Sequence, residues 1–258
     1  MSNTFNMKPQ LLLLKLILLF LFVGCSSIRE VDPSGPIARP GSTPTIDGVF
    51  ADGEWDDAEV VQAGEYQQFR LKHDSTHLYF ALVGDGGNLW FNKDPGLHIL
   101  HSSAQLASAE YTKSDSSILL LHRAFQGQLF GLQNEPVTDI NQKINAYLAL
   151  NGWVGSMGGN KAQTEFAVSF NWLGVTIGSK RFVEIPPLYI YSGRNFTPEE
   201  IEKSGVFELS LEERQKQYPT LFWPVLPVPN DSLNAGYSPK TISIDPSEWG
   251  KIWIDLGI

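Results

Sequence analysis

The chain has 258 residues, of which 42% are hydrophobic, 12% aromatic and 18% charged, and 19 Lys and Arg against 28 Asp and Glu give a net charge of −9. Ample apolar content with modest charge excludes a disordered chain, and one cysteine excludes a disulfide scaffold. The acidic balance argues against nucleic acid as a partner, because phosphate contacts draw on clustered Lys and Arg.

Lys8 is followed by Leu11–Val23, apolar except for Lys15. A membrane-spanning helix needs about 20 apolar residues. This shorter run reads as the hydrophobic region of a signal peptide over residues 1–24. It ends in Leu21-Phe22-Val23-Gly24-Cys25. The stretch resembles a bacterial lipobox, with Phe22 standing where Leu is more usual. The resemblance implies that Cys25, the single cysteine, is lipidated and becomes the new N-terminus. Ser26 after it implies the outer membrane, on the periplasmic or the surface face. Loss of residues 1–24 would remove Lys8 and Lys15 but no acid, leaving 17 basic against 28 acidic side chains. Such a body is expected to reach the lipid bilayer through its acyl chains, at about 0.8 kcal/mol per buried CH₂, and not through charge.

Residues 25–43 carry Pro33, Pro36 and Pro40 among Ser and Gly, and they read as an extended tether. Residues 44–258 suit one all-β domain. Gln67–Lys72, His77–Val83, Leu97–Leu100, Ser117–His122 and Thr164–Phe170 read as strands, some alternating and some continuously apolar. Phe182–Tyr191 is β-rich, but Pro186-Pro187 demotes it to an edge or bulged strand. Lys251–Ile254 is a closing strand. Asp139–Leu150 reads as a helix. Thr197–Glu200 and Ser210–Glu213 carry the capping pattern of short helices. Strands with frequent Gly and Pro and few helices predict an antiparallel β-sandwich, jelly-roll-like, with a few short helices.

The domain opens with Pro44-Thr45-Ile46-Asp47-Gly48, then Glu54-Trp55-Asp56-Asp57-Ala58. His77–Val83 is followed by Asp85, Thr164–Gly174 reads TEFAVSFNWLG, and Glu248-Trp249-Gly250-Lys251-Ile252-Trp253 closes the chain. In that order these motifs resemble carbohydrate-binding module family 9-like domains, related to DOMON-like sandwiches. Physically they are structural. Asp47-Gly48 is a turn pair, Trp55 and Ala58 pack the first turn on the sheet, and Gly250 permits close approach.

The resemblance implies a terminal sugar held between two aromatic rings, with amides and acids bonding its hydroxyls. Trp90 and Tyr237 fall nearest to those two ring positions, although the acid-rich strand expected beside the first ring is missing from Asn88–His98. Trp153, in Asn151-Gly152-Trp153 near several glycines, reads as a further loop aromatic, able either to platform a sugar or to cover the core.

Signals for catalysis and metal binding are thin. His98 and His101 would diverge on a strand, and His73 and His77 flank a turn, so no metal site is expected. Val154 spoils a G-x-S-x-G reading of Gly155-Ser156-Met157-Gly158, and no catalytic residue is assigned. Some DOMON-like domains bind haem through Met and His, but Met157 alone survives processing, so no cofactor is expected. The expected function is a lipid-anchored, non-catalytic glycan-binding module. A structural or assembly lipoprotein with a protein partner, and a glycan-active hydrolase with paired carboxylates, remain alternatives.

Overall fold

The computed structural model describes residues 32–63, 67–83, 87–93, 96–104, 106–113, 118–124, 138–158, 163–178, 180–192, 213, 221–224 and 246–257. Cys25 and Tyr237 lie outside these residues. So do the readings of short helices at 197–200 and 210–213, apart from Glu213. The chain divides into two units, Met1–Asp32 and Pro33–Ile258, and everything below concerns the second.

In chain order its strands are β1 (Ile37–Ala38), β2 (Glu59–Gln62), β3 (Gln68–His73), β4 (His77–Val83), β5 (Gly87–Lys93), β6 (Gly96–Ala104), β7 (Ala107–Lys113) and β8 (Ile118–Ala124). Helix α1 (Ile140–Asn151), β9 (Trp153–Met157), β10 (Gln163–Ser169) and the short helix α2 (Phe170–Leu173) follow. The last strands are β11 (Phe182–Glu184), β12 (Leu188–Ser192), β13 (Leu221–Trp223) and β14 (Trp253–Asp255). Among the described residues the strands form three sheets, ordered β2-β3-β4-β10-β9, β13-β12-β5-β6-β7-β8 and β1-β14-β11. The molecule is an all-β sandwich.

Alternation explains the layers. Along β4, Leu78, Phe80 and Leu82 point one way, and they meet Phe69 and Leu71 of β3 and Phe166 and Val168 of β10. Opposite them stand Leu89 and Phe91 of β5, Leu100 of β6, and Leu188 and Ile190 of β12. These buried side chains fill the space between the five- and six-stranded sheets. Burying each is worth about 1.5–3 kcal/mol. Tyr79, Ala81, Val154 and Ala167 face the other way. Ile46 and Trp55 of the opening loop and Ile144 and Tyr147 of α1 cover them.

Helix α1 begins where the sequence signals it. The Asp139 side chain caps it by accepting from the Asn141 N–H at 2.8 Å, and Gly152, at φ 76°, closes it in the left-handed region.

The opening loop is pinned by one buried carboxyl group. Glu165 of β10 accepts the Trp55 indole N–H at 2.8 Å on Oε1. On Oε2 it accepts the Gly48 N–H at 2.8 Å and the Asp47 N–H at 3.1 Å. Gly48 has φ 83°, and a Cβ there would lie 2.2 Å from the Gly158 backbone nitrogen, so glycine is required twice over. Lys72, fully buried, bonds Asp57 Oδ1 at 2.8 Å and lies 5.0 Å from the Trp55 ring centroid. Trp55 is 2% exposed, as the packing role read from the sequence requires.

Three local readings are corrected. Part of the stretch read as tether belongs to the fold. Ile37–Ala38 pairs in parallel with Trp253 and Ile254, and the Gly41 N–H donates to the His73 carbonyl. Backbone pairing needs no side-chain periodicity, so a Pro-rich sequence conceals it. Pro186-Pro187 splits Phe182–Tyr191 in two. β11 joins the small sheet, while β12 lies inside the six-stranded sheet between β13 and β5. The prolines sit in the gap, where the Pro187 carbonyl accepts the Asn92 N–H at 2.9 Å. Finally, the segment around Trp153 is strand β9, with all five residues buried.

Candidate functional site

The outer face of the six-stranded sheet is aromatic where a solvated sheet face is normally polar. β5 pairs antiparallel with both β12 and β6, so residues two apart line one face in straight cross-strand rows. One row is Tyr189–Trp90–Ile99 and the next is Tyr191–Asn88–His101. Trp249, just before the Leu188–Gly250 bridge, packs against Tyr189 with ring centroids 6.1 Å apart. Trp90 meets Tyr189 edge-on, at 6.1 Å and 77°.

The two rows differ in access. Trp90, Tyr189, Ile99 and Trp249 are buried, and among the described residues neither the Trp90 nor the Trp249 indole N–H has a hydrogen-bond acceptor. An indole N–H buried without an acceptor forfeits about 1–3 kcal/mol. Tyr191, Asn88 and His101 are only half-buried. His101 Nδ1 and Asn88 Oδ1 lie 2.8 Å apart across the strands. Burial holds the His101 imidazole below its ordinary range, which favours the neutral ring, and pushes the Tyr191 phenol up to about 12, so it keeps its proton. This face can therefore offer neutral donors and acceptors beside a hydrophobic floor.

The sequence-derived site residues are not gathered into one place. Trp90 is on this face, but at 2% exposure it is part of the floor and not an open platform. Trp153 is 1% exposed, on the interior side of β9. Its indole N–H donates to Glu110 Oε2 at 2.6 Å, and Glu110 Oε1 meets His98 Nδ1 at 3.0 Å. A core position and a committed N–H leave its ring no free face, so the reading of Trp153 as a sugar platform is corrected. His98 faces the interior and His101 the outside, because residues three apart on a strand diverge. Among the described residues no three metal-ligating side chains gather.

Sequence reasoning passed over Asn88, His101, Tyr189, Tyr191 and Trp249 as site residues. A signal was available in the period-two spacing of Asn88, Trp90 and Asn92, of Ile99 and His101, and of Tyr189 and Tyr191. It shows only that each set shares a face, and the registers of β5 with β12 and with β6 decide that the three sets share the same one.

Comparison with known proteins adds little. No family model matches the chain, and no curated protein matches it. Among solved structures, a crystal structure of a "putative carbohydrate-binding protein" from Bacteroides uniformis matches at 11% identity and a TM-score of 0.39. The match covers 86% of this chain and all of the other. At that similarity it carries no argument about fold or ligand.

Proposed function

We propose that this chain is a lipid-anchored, non-catalytic carbohydrate-binding module that holds a glycan on the outer face of its six-stranded sheet. The observation that carries the reading is the pair of adjacent rows. One is an aromatic floor of Trp90, Tyr189 and Trp249, and the other is a half-exposed row of Tyr191, Asn88 and His101. Sugars present apolar C–H faces and a rim of hydroxyls, and an aromatic side chain beside neutral hydrogen-bonding groups complements both. Tyr191 is the accessible ring of the set. Trp90 supports the site from beneath, and Tyr237 is kept as a candidate second ring. The order of the opening, middle and closing motifs, which resembles family 9-like domains, supports the same reading. The anchor rests on the apolar run Leu11–Val23 before the single cysteine, Cys25, and its proposed location is the outer membrane.

The test is a glycan array on the full-length protein in detergent, followed by calorimetry on any ligand found. Tyr191→Ala is expected to weaken binding by about 1–3 kcal/mol, on the scale of stacking a planar ligand on an aromatic, with little change in melting temperature. Absence of binding across neutral and acidic glycans would overturn the proposal.

A further inference from the structure

We infer that Asn88 and His101 form a polar subsite that reads two neighbouring hydroxyl groups of a pyranose. The inference rests on the glycan-binding reading and adds the residues that read the hydroxyl groups.

The two side chains stand directly opposite each other on β5 and β6 and are joined at 2.8 Å. That bond uses one nitrogen of the imidazole and one end of the amide. With the Asn88 carbonyl toward the ring, His101 Nδ1 donates, Nε2 keeps its lone pair, and the Asn88 amide retains N–H groups to donate. With the amide turned over, Nε2 carries the proton, while the Asn88 carbonyl accepts and its remaining N–H donates. Either arrangement sets a donor next to an acceptor. A vicinal diol needs that pairing, since each hydroxyl both donates and accepts. Among the described residues neither side chain has another hydrogen-bond partner, and both are half-buried. Tyr191 completes the row on the β12 side.

Asn92, Leu97 and Ile99 extend the face beyond the pair, and none of them is charged. Burial favours the uncharged form of His101. The pairing of β6 with β7 and of β7 with β8 puts Lys113 opposite Leu97, and Arg123 opposite Ala109, which itself stands opposite His101.

The experiment is calorimetry on the full-length protein in detergent. The probes are methyl glucoside, galactoside and mannoside, their monodeoxy forms, and the matching uronic acids. Wild type is expected to bind at least one of these sugars. Asn88→Ala and His101→Ala should each weaken that binding about tenfold, the scale of one lost hydrogen bond. Deleting the hydroxyl that one side chain reads should cost wild type the same factor and cost the variant lacking that side chain nothing further. His101→Gln, which keeps a donor and an acceptor, should recover part of the loss. The deoxy series on wild type needs no variant to fold. Wild type that binds these sugars while both variants match it overturns this subsite and leaves the glycan reading standing. Wild type that binds no glycan overturns both.

Discussion

Replacing Glu165 with Gln tests the carboxyl group that ties the opening loop to the sheet. Glu165 is fully buried, and its two oxygens serve three donors. Glutamine keeps the shape but has one oxygen. Turned toward the Gly48 and Asp47 amides, that oxygen leaves the Trp55 indole facing an NH₂ group. Turned the other way, it leaves both amides facing NH₂. A buried donor without an acceptor costs about 1–3 kcal/mol, so a loss of that size is expected near pH 5. The pH dependence is the sharper test. Burial lifts the Glu165 carboxyl from 4.5 to about 8, with help from the Glu54 and Asp47 carboxylates and against the pull of the Trp55 and Gly48 bonds. The folded pKa is therefore above the unfolded one. Between pH 4.5 and 8 the folded chain keeps a proton that the unfolded chain releases. The group's contribution is fully present below pH 4.5 and is lost as pH rises through about 8. At about 1.4 kcal/mol per pH unit, the change across that window is of order 5 kcal/mol. The glutamine side chain does not titrate. Urea unfolding at pH 5, 6, 7 and 8, followed by tryptophan fluorescence, should show wild type falling relative to E165Q, with the gap closing and then reversing. His77 and His101 titrate in both proteins and cancel in the difference. Asp57 and Asp74, held at about 2, lose their contribution only below about pH 4, outside the window. Two curves that stay parallel from pH 5 to 8 would refute the reasoning.

Trp55→Ala removes a large buried ring together with its bond to Glu165 and its contact with Lys72, and it should cost about 3–5 kcal/mol in denaturant unfolding. A loss below about 1 kcal/mol would contradict that packing. At Gly250 an added Cβ would lie 2.2 Å from the Trp223 ring. Gly250→Ala should therefore destabilise by about 1–3 kcal/mol, and pairing it with Trp223→Leu should relieve part of that loss. Cys25→Ser should abolish an acyl adduct on residue 25 and release the protein from the membrane fraction. An intact mass showing wild-type residue 25 without acyl chains would refute the anchor.

Much of the fold was legible because it is local. His77–Val83 is a strand over the residues that its apolar run marks. Asp139 and the glycine at 152 bracket a helix because a short acceptor and a left-handed residue satisfy helix ends wherever they occur. The Asp47-Gly48 turn and the buried Trp55 follow from residue chemistry alone. What the sequence left open depends on partners far along the chain. Alternation shows that Asn88 and Trp90 share a face, but it cannot say whether that face meets the core or the solvent side. That follows from the packing of Leu89 and Phe91 against the five-stranded sheet, whose strand β10 lies far along the chain. The same limit hid the interior place of Trp153, whose glycine-rich surroundings look like a loop until Glu110 and His98 are brought beneath it. Glu165 is one acid among 28 Asp and Glu in the sequence. Only the closing of the opening loop over β10 strips it of water and raises its pKa. Secondary structure is set by neighbours in the chain, whereas burial, register and proton affinity are set by neighbours in space.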